Sequence, residues 1–254
     1  MRSRKTSRRR FGNQARSENR SDEIGDYRPR WNAAPTTKLP VVISRDWQRI
    51  LTLMHWGLVP SWPKDLKISH STFNAHAETI DTRSAFCDAW RAEGRCLVLA
   101  DDYYEWRDHD KQPFAVALDN RGPMTLAGLW DCWRMPSGDT LRSFAIVTTS
   151  ANELLAPLHD RMSVLVAPDC WADWLGEKAV PEPVLKAMLK PYPGDAMTFW
   201  PVDRRVGNVR NDGPDLFAPL TYSTASACVP KSGQYPPQSR CRQPNAPLRV
   251  GFRS

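Results

Sequence analysis

Seven short apolar runs, each closed off by Pro, Gly, Asp or another turn former, constrain this chain more than any other feature. They are VVIS at Val41, LTLMHWGLV from Leu51, RCLVLA from Arg95, PFAVAL from Pro113, MTLAGLWDCW from Met124, RSFAIVTT from Arg142 and MSVLVA from Met162. Runs this short, rich in β-branched and aromatic residues, read as strands. Helical patterning is confined to SAFCDAWRAEG after Arg83, SANELLAPL from Ser150, DCWADWLG from Asp169 and EPVLKAMLK from Glu182. Ser150 with Glu153 forms a capping box, which predicts a helix from Ala151 to about His159. Strands outnumber helices and do not alternate with them, so the expected class is α+β, built on a largely antiparallel sheet.

The flanks differ from this centre. All eleven tryptophans fall between Arg30 and Leu220, which predicts one globular unit over residues 28–220. The first twenty positions hold eight of the 35 basic residues and one of the 28 acidic ones, so the net charge of +7 sits there and the rest of the chain balances. Residues 1–27 are expected to be a disordered basic arm, suited to nucleic acid or another acidic surface, or a solvated tail with no specific partner. Residues 221–254, rich in Pro, Ser, Gln and Arg, are expected to be a disordered tail.

No apolar run reaches the length of a membrane span and no signal-peptide pattern opens the chain, so a cytoplasmic location is expected, nucleoid-associated in a bacterium or nuclear in a eukaryote. The Arg-rich, acid-poor arm leaves an organelle-targeting reading open as well. The six cysteines, Cys87, Cys96, Cys132, Cys170, Cys228 and Cys241, lack metal-site spacing and are too sparse for a disulfide scaffold. GxGxxG, Walker, HExxH and GxSxG patterns are absent, so neither a metal nor an organic cofactor is expected.

Four places concentrate polar groups in apolar company. In CLVLADDYYEWRD, Glu105 lies between Tyr104 and Trp106; it is either half of an exposed Glu105–Arg107 pair or a carboxyl whose surroundings raise its pKa for proton transfer. In LHDRM, His159 falls at the end of the expected helix, where the dipole favours an imidazolium; the alternative is a capping histidine beside an Asp160–Arg161 ion pair. In TFNAHAET, Asn74 is suited to orienting a carbonyl or to an Asx turn. In WGLVPSW, Trp56 and Trp62 flank Gly57 and Pro60, and form either a stacking platform for bases or core packing.

Taken in order, RPRWNAAPT (28–36), MHWGLVPSWPKD (54–65), FNAHAET (73–79), RCLVLADDYYEW (95–106), AGLWDCW (127–133), TTSANELLAPLHDRM (148–162) and WPVDRRVGNVRND (200–212) strongly resemble the SRAP family, the SOS response-associated peptidases or abasic-site processing proteins. The resemblance covers roughly residues 28–220. It implies a single domain on a barrel-like sheet with flanking helices, acting as a monomer on single-stranded DNA that carries abasic sites. Family members remove their initiator methionine. The exposed N-terminal cysteine then condenses with the ring-opened aldehyde, through a Schiff base, to a thiazolidine crosslink; lyase activity and crosslink reversal also occur. The matching residues are Asn74, which helps hold the N-terminal residue, Glu105, which activates the amine and moves protons, and His159, which assists ring opening and reversal. Trp56, Trp62, His76, Arg95, Arg161 and Arg210 become the candidate DNA contacts.

This chain departs from the pattern. It begins Met1-Arg2-Ser3-Arg4 and has no cysteine before Cys87, and a thiazolidine needs amine and thiol on one residue. His76 replaces a usual Arg, Leu99 a usual Pro, and Ser163 follows HDRM where Pro is common. The nucleophile is therefore left unassigned, between a Cys-first product from a different start, a reversible Schiff base of the chain's own α-amine, noncovalent lesion binding, and an unrelated function grown on the fold.

Overall fold

A computed structural model describes residues 24–220 and the backbone of the segment Arg249–Gly251. Positions 1–23, 221–248 and 252–254, and with them most of the two expected tails, lie outside the described residues.

The first hairpin shows how local sequence sets register. Strands β1 (Lys38–Arg45) and β2 (Gln48–Trp56) pair antiparallel from Lys38↔His55 to Arg45↔Gln48. Asp46 and Trp47 turn the chain with φ of 49° and 67°. Two consecutive left-handed residues give a tight turn whose twist suits the flanking strands.

From β1 the sheet continues through β4 (Arg95–Ala100), β7 (Met124–Arg134) and β8 (Thr140–Ser150), each antiparallel to its neighbour. It then closes, because β8 pairs in parallel with β2 at His55↔Ser143 and Trp56↔Phe144. The result is a five-stranded mixed barrel, in agreement with the expected barrel-like α+β class. Alternate residues of its strands feed two cores. Val98, Leu126, Phe144 and Ile146 pack with Leu39, Val41, Met54 and Trp56, while Leu97, Leu129, Ala145 and Val147 pack with Leu58, Phe86, Trp90 and Trp174. Burial on both faces explains why RCLVLA and RSFAIVTT read as continuous apolar runs without alternation.

Two short strands extend the barrel at the far end of β8. Strand β3 (Asn74–His76) runs parallel to it and β9 (Arg161–Ser163) antiparallel. Thr148 pairs with His76 and also with Ser163, so β3 and β9 sit on opposite edges of β8. A second sheet, in the order β10 (Met197–Pro201), β6 (Pro113–Leu118), β5 (Asp102–Trp106), β11 (Arg249–Gly251), begins one residue after β4.

Three helices over Cys87–Arg91 (α1), Trp171–Trp174 (α2) and Glu182–Ala187 (α3) fall where helical patterning predicts them. The capped helix after Ser150 does not form. Ser150 is the last residue of β8, paired with Arg161, and Ala151 N–H donates to the Asp160 carbonyl at 2.8 Å, so residues 151–160 are a broad hairpin connection. Asn152 Oδ1 accepts from Leu155 N–H at 2.9 Å, an Asx-type turn, and Pro157 offers no N–H to a helix. Long-range ladder bonds outweigh the local capping signal.

Both tail boundaries shift slightly. Ile24–Asp26 form a 3-10 turn and Tyr27 packs on the barrel core, inside the expected arm. Arg249–Gly251 pair in parallel with Asp102–Tyr104, inside the expected tail, and cover the edge of β5 that has no other strand beside it among the described residues. Among the described residues no helix is long and apolar enough to cross a membrane.

Candidate functional site

The end of β8, bracketed by β3 and β9 and faced by β5, holds a cleft of about 590 Å³. Asn74 and His76 come from β3, Thr148 from β8, Arg161 and Ser163 from β9, and Glu105 from β5; His159 and Asp160 enter from the connection before β9 and Arg83 from the loop before α1. Three residues singled out in separate sequence motifs, Asn74, Glu105 and His159, therefore line one cavity.

Glu105 is 8% exposed. Burial pushes its carboxyl up to about 8, against the Trp106 backbone N–H that donates to Oε1 at 3.1 Å; the charges of Asp108 and Asp160 raise it further and Lys111 opposes them. A group titrating there can both give and take a proton near neutral pH. The exposed Glu105–Arg107 pair is not formed: Arg107 binds Asp110 at 2.6 and 3.0 Å and lies over the Phe114 ring.

His159 is buried and stands between two carboxylates. Its Nδ1 accepts the Arg161 backbone N–H at 2.9 Å and lies 3.1 Å from Asp160 Oδ1, while Nε2 lies 3.9 Å from Asp108 Oδ1. Without a helix before it, the dipole argument made for this residue has no basis. Among the described residues, Asp108, His159 and Asp160 are the one group with three donor atoms close enough for a metal, within 4.8 Å of one another. Since Nδ1 already accepts a hydrogen bond, the set is arranged at least as well for proton relay.

Asn74 Oδ1 is buried and has no hydrogen-bond partner among the described residues. An orphaned acceptor facing a cavity is what a ligand amine or hydroxyl would satisfy. At the mouth, Arg161 is held by Glu78 through two contacts of 2.9 Å, and its Nη2 also donates to the Thr148 carbonyl at 2.8 Å, so the alternative Asp160–Arg161 pair is not the one formed. Exposed His76 is shifted below its usual range by partial burial and then by Arg161. Arg83 lies over the Phe86 ring.

The other candidate contacts divide sharply. Trp56 is 0% exposed, stacked 6.5 Å from Phe144 with its Nε1 donating to the Phe73 carbonyl, so it offers no face to a base. Barrel closure through β2 and β8 is what buries it. Arg95 is 5% exposed and donates from Nε to the Trp174 carbonyl, so it is an interior structural residue. Trp62 is 55% exposed, and Arg210 is exposed with no ion-pair partner among the described residues; neither lines the cleft. Arg83 and Thr148 line it without having been singled out, and Asp160 and Ser163, noted in the sequence only as an ion-pair partner and a departure from the family pattern, line it too. Of the first two, only Arg83, a lone cation near FNAHAET, carried any signal in the sequence.

Fold and cleft together define a mixed β-barrel protein with a cleft at the end of one barrel strand that gathers Asn74, Glu105 and His159 with Arg83 and Arg161. The chain belongs to the SRAP family: the family model described as SOS response associated peptidase (SRAP) matches residues 1–209. It is 34% identical over 195 residues to the abasic site processing protein YoqW of Bacillus subtilis (strain 168), covering 76% of this chain and 87% of that one. It is 32% identical over 229 residues to the abasic site processing protein HMCES of Gallus gallus, covering 77% and 68%. A crystal structure of a protein from Bacteroides thetaiotaomicron shares the fold with a TM-score of 0.66 at 23% identity, over 73% of this chain and 82% of that one. A phage-related protein from Bordetella bronchiseptica aligns with a TM-score of 0.51 at 30% identity, over 67% and 80%.

Proposed function

We propose that this chain processes abasic sites in single-stranded DNA, with residues 28–220 as the working unit. The observation that carries the reading is Glu105, a nearly buried carboxyl titrating at about 8 in the same cleft as Asn74 and His159. An abasic site exposes an aldehyde once its sugar ring opens. Condensation with an amine needs the amine deprotonated, the carbinolamine oxygen protonated as it leaves as water, and a proton source for ring opening. Glu105 serves the first two steps, His159 the third, and the orphaned Asn74 oxygen receives the amine. Arg83 and Arg161 supply the positive rim for the flanking phosphates, His76, shifted toward its neutral form, offers a hydrogen bond beside them, and the basic arm adds salt-dependent affinity. The family names of the relatives support the same substrate.

A second reading, capture only as a reversible Schiff base or noncovalent binding, is favoured by the cysteines. None of the four in the described residues, Cys87, Cys96, Cys132 and Cys170, lines the cleft. The test is a denaturing gel of the protein with a single-stranded oligonucleotide carrying one abasic site, with and without borohydride. An adduct without reductant supports thiol-closed capture, and an adduct only with reductant supports the Schiff base. No adduct in either lane, with binding on a native gel, leaves the noncovalent reading; no binding at all removes the proposal.

A further inference from the structure

We propose that Asp108 is a positioning residue beside this cleft: its carboxylate, set opposite Nε2 of His159, selects the ring tautomer that carries its proton on Nε2. The inference deepens the acid–base reading of His159 given above and rests on it for its functional meaning.

The ring receives two contrary instructions. Arg161 N–H donates to Nδ1 at 2.9 Å, which occupies that lone pair and leaves the proton on Nε2. Asp160 Oδ1, 3.1 Å from the same Nδ1, draws the proton the other way, since a carboxylate facing a bare ring nitrogen is repelled by its lone pair. Asp108 Oδ1, 3.9 Å from Nε2, sides with Arg161. That distance is too long for a direct hydrogen bond and short enough for charge attraction or one bridging oxygen from a ligand or water.

Exposure decides between the two carboxylates. The Asp160 side chain is 84% exposed and that of Asp108 is 58% exposed, so solvent screens Asp160 more. Asp108 is also fixed by its backbone. Its N–H donates to the Leu158 carbonyl at 3.0 Å, which stitches the loop after β5 to the residue preceding His159. Within that loop the Arg107–Asp110 pair, the Gln112 N–H on Asp110 Oδ1 at 3.1 Å and the Lys111 Nζ on Asp108 Oδ1 at 3.3 Å hold the turn. Other charged groups face the cavity from β5 (Glu105), from the approach to β9 (Asp160, Arg161) and, beyond Arg161, from the β3 side (His76, Glu78, Arg83). Among the charged side chains of the described residues, only Asp108 and Asp160 come within 4 Å of the His159 ring nitrogens.

The test uses the full chain labelled with 15N-histidine, long-range proton–nitrogen spectra reading the His159 tautomer, and His159→Gln assigning the signal. The parent is expected to hold the proton on Nε2. Asp108→Asn, which keeps the Leu158 bond, should shift the ratio toward Nδ1–H by about two- to fivefold, the scale of an exposed charge contact. Asp160→Asn should shift it the opposite way, and Asp108→Glu should restore much of the parent ratio. An unchanged ratio in Asp108→Asn, or a shift in the same direction as Asp160→Asn, overturns the inference. With abasic oligonucleotide, Asp108→Asn should also lower the rate of borohydride-trapped adduct and move its pH optimum down, because one of the charges that raise Glu105 is gone. The spectra need no DNA, so a parent that forms no adduct removes the proposed function while the tautomer ratios still decide the role of Asp108.

Discussion

The guanidinium of Arg161 grips the carboxylate of Glu78 through two hydrogen bonds of 2.9 Å, tying β9 to the turn that follows β3 across the mouth of the cleft. The Glu78 side chain is 52% exposed and the Arg161 side chain 22%, so the pair adds little to stability. Glu78→Gln should release Arg161 for phosphate. We expect tighter binding of a single-stranded oligonucleotide and a steeper salt dependence, by about 0.7 in the slope of log K on log salt for one added phosphate contact. Anisotropy titrations at several salt concentrations measure it; an unchanged slope would mean that Arg161 does not reach the backbone.

Glu105 makes a prediction about stability as well as chemistry. Its folded pKa, about 8, lies above the ordinary carboxyl value of 4.5, so between those values the folded protein binds the extra proton. Folding stability therefore falls as pH rises from about 4.5 to 8, and this contribution levels off above that window. Glu105→Gln keeps the shape and removes the titration. The variant should gain on the parent as pH rises, by on the order of a few kcal/mol at the alkaline end, while losing adduct formation. Denaturant unfolding at pH 5 and pH 8.5 checks it, and equal differences at the two pH values would sink the assignment.

The two tryptophans of WGLVPSW should behave oppositely. Trp62→Ala is expected to leave stability within about 0.5 kcal/mol, as for a surface substitution. It should weaken oligonucleotide binding by about 1–3 kcal/mol through lost stacking. Trp56→Ala should cost about 3–5 kcal/mol of stability, since it empties the space between Phe73 and Phe144. Parallel melts and binding curves separate the cases; a Trp62 variant that binds normally excludes it from the DNA path.

Gly57 ends β2 at the barrel closure with φ of 125°, and a Cβ there would run into the Ser69 carbonyl. Gly57→Ala is expected to destabilise by about 1–3 kcal/mol or more, from the strained backbone and the displaced turn together. A melting temperature within a degree of the parent would contradict the described closure.

Much of this was legible beforehand because it is local. Six of the seven apolar runs became strands since short, β-branched, turn-bounded segments have few alternatives, while MSVLVA gave only the end of β9 and a single bridge at Leu165; Glu105 stood out because a carboxyl among tyrosines and tryptophan needs a reason. The helix after Ser150 was misread for an equally local reason: the capping box is real as a pattern, but Ser150 is committed to the β8–β9 ladder. Trp56, beside Gly57 and Pro60, read as either a stacking surface or core packing, and barrel closure made it core; Arg95 looked available until the Trp174 carbonyl claimed it.

By itself, the order of motifs along the chain determined the family, the strand-rich class and the identities of Asn74, Glu105 and His159. Only the tertiary structure decided that these three share a cavity, and that Arg83, Thr148, Asp108 and Asp160 lie in or beside it. The reason is the range of the bonds involved. The parallel pairings of β2 and β3 with β8 join positions some 70 to 90 residues apart, and no neighbour in sequence reports such a pairing. Which side chains meet at the end of β8 follows from that closure.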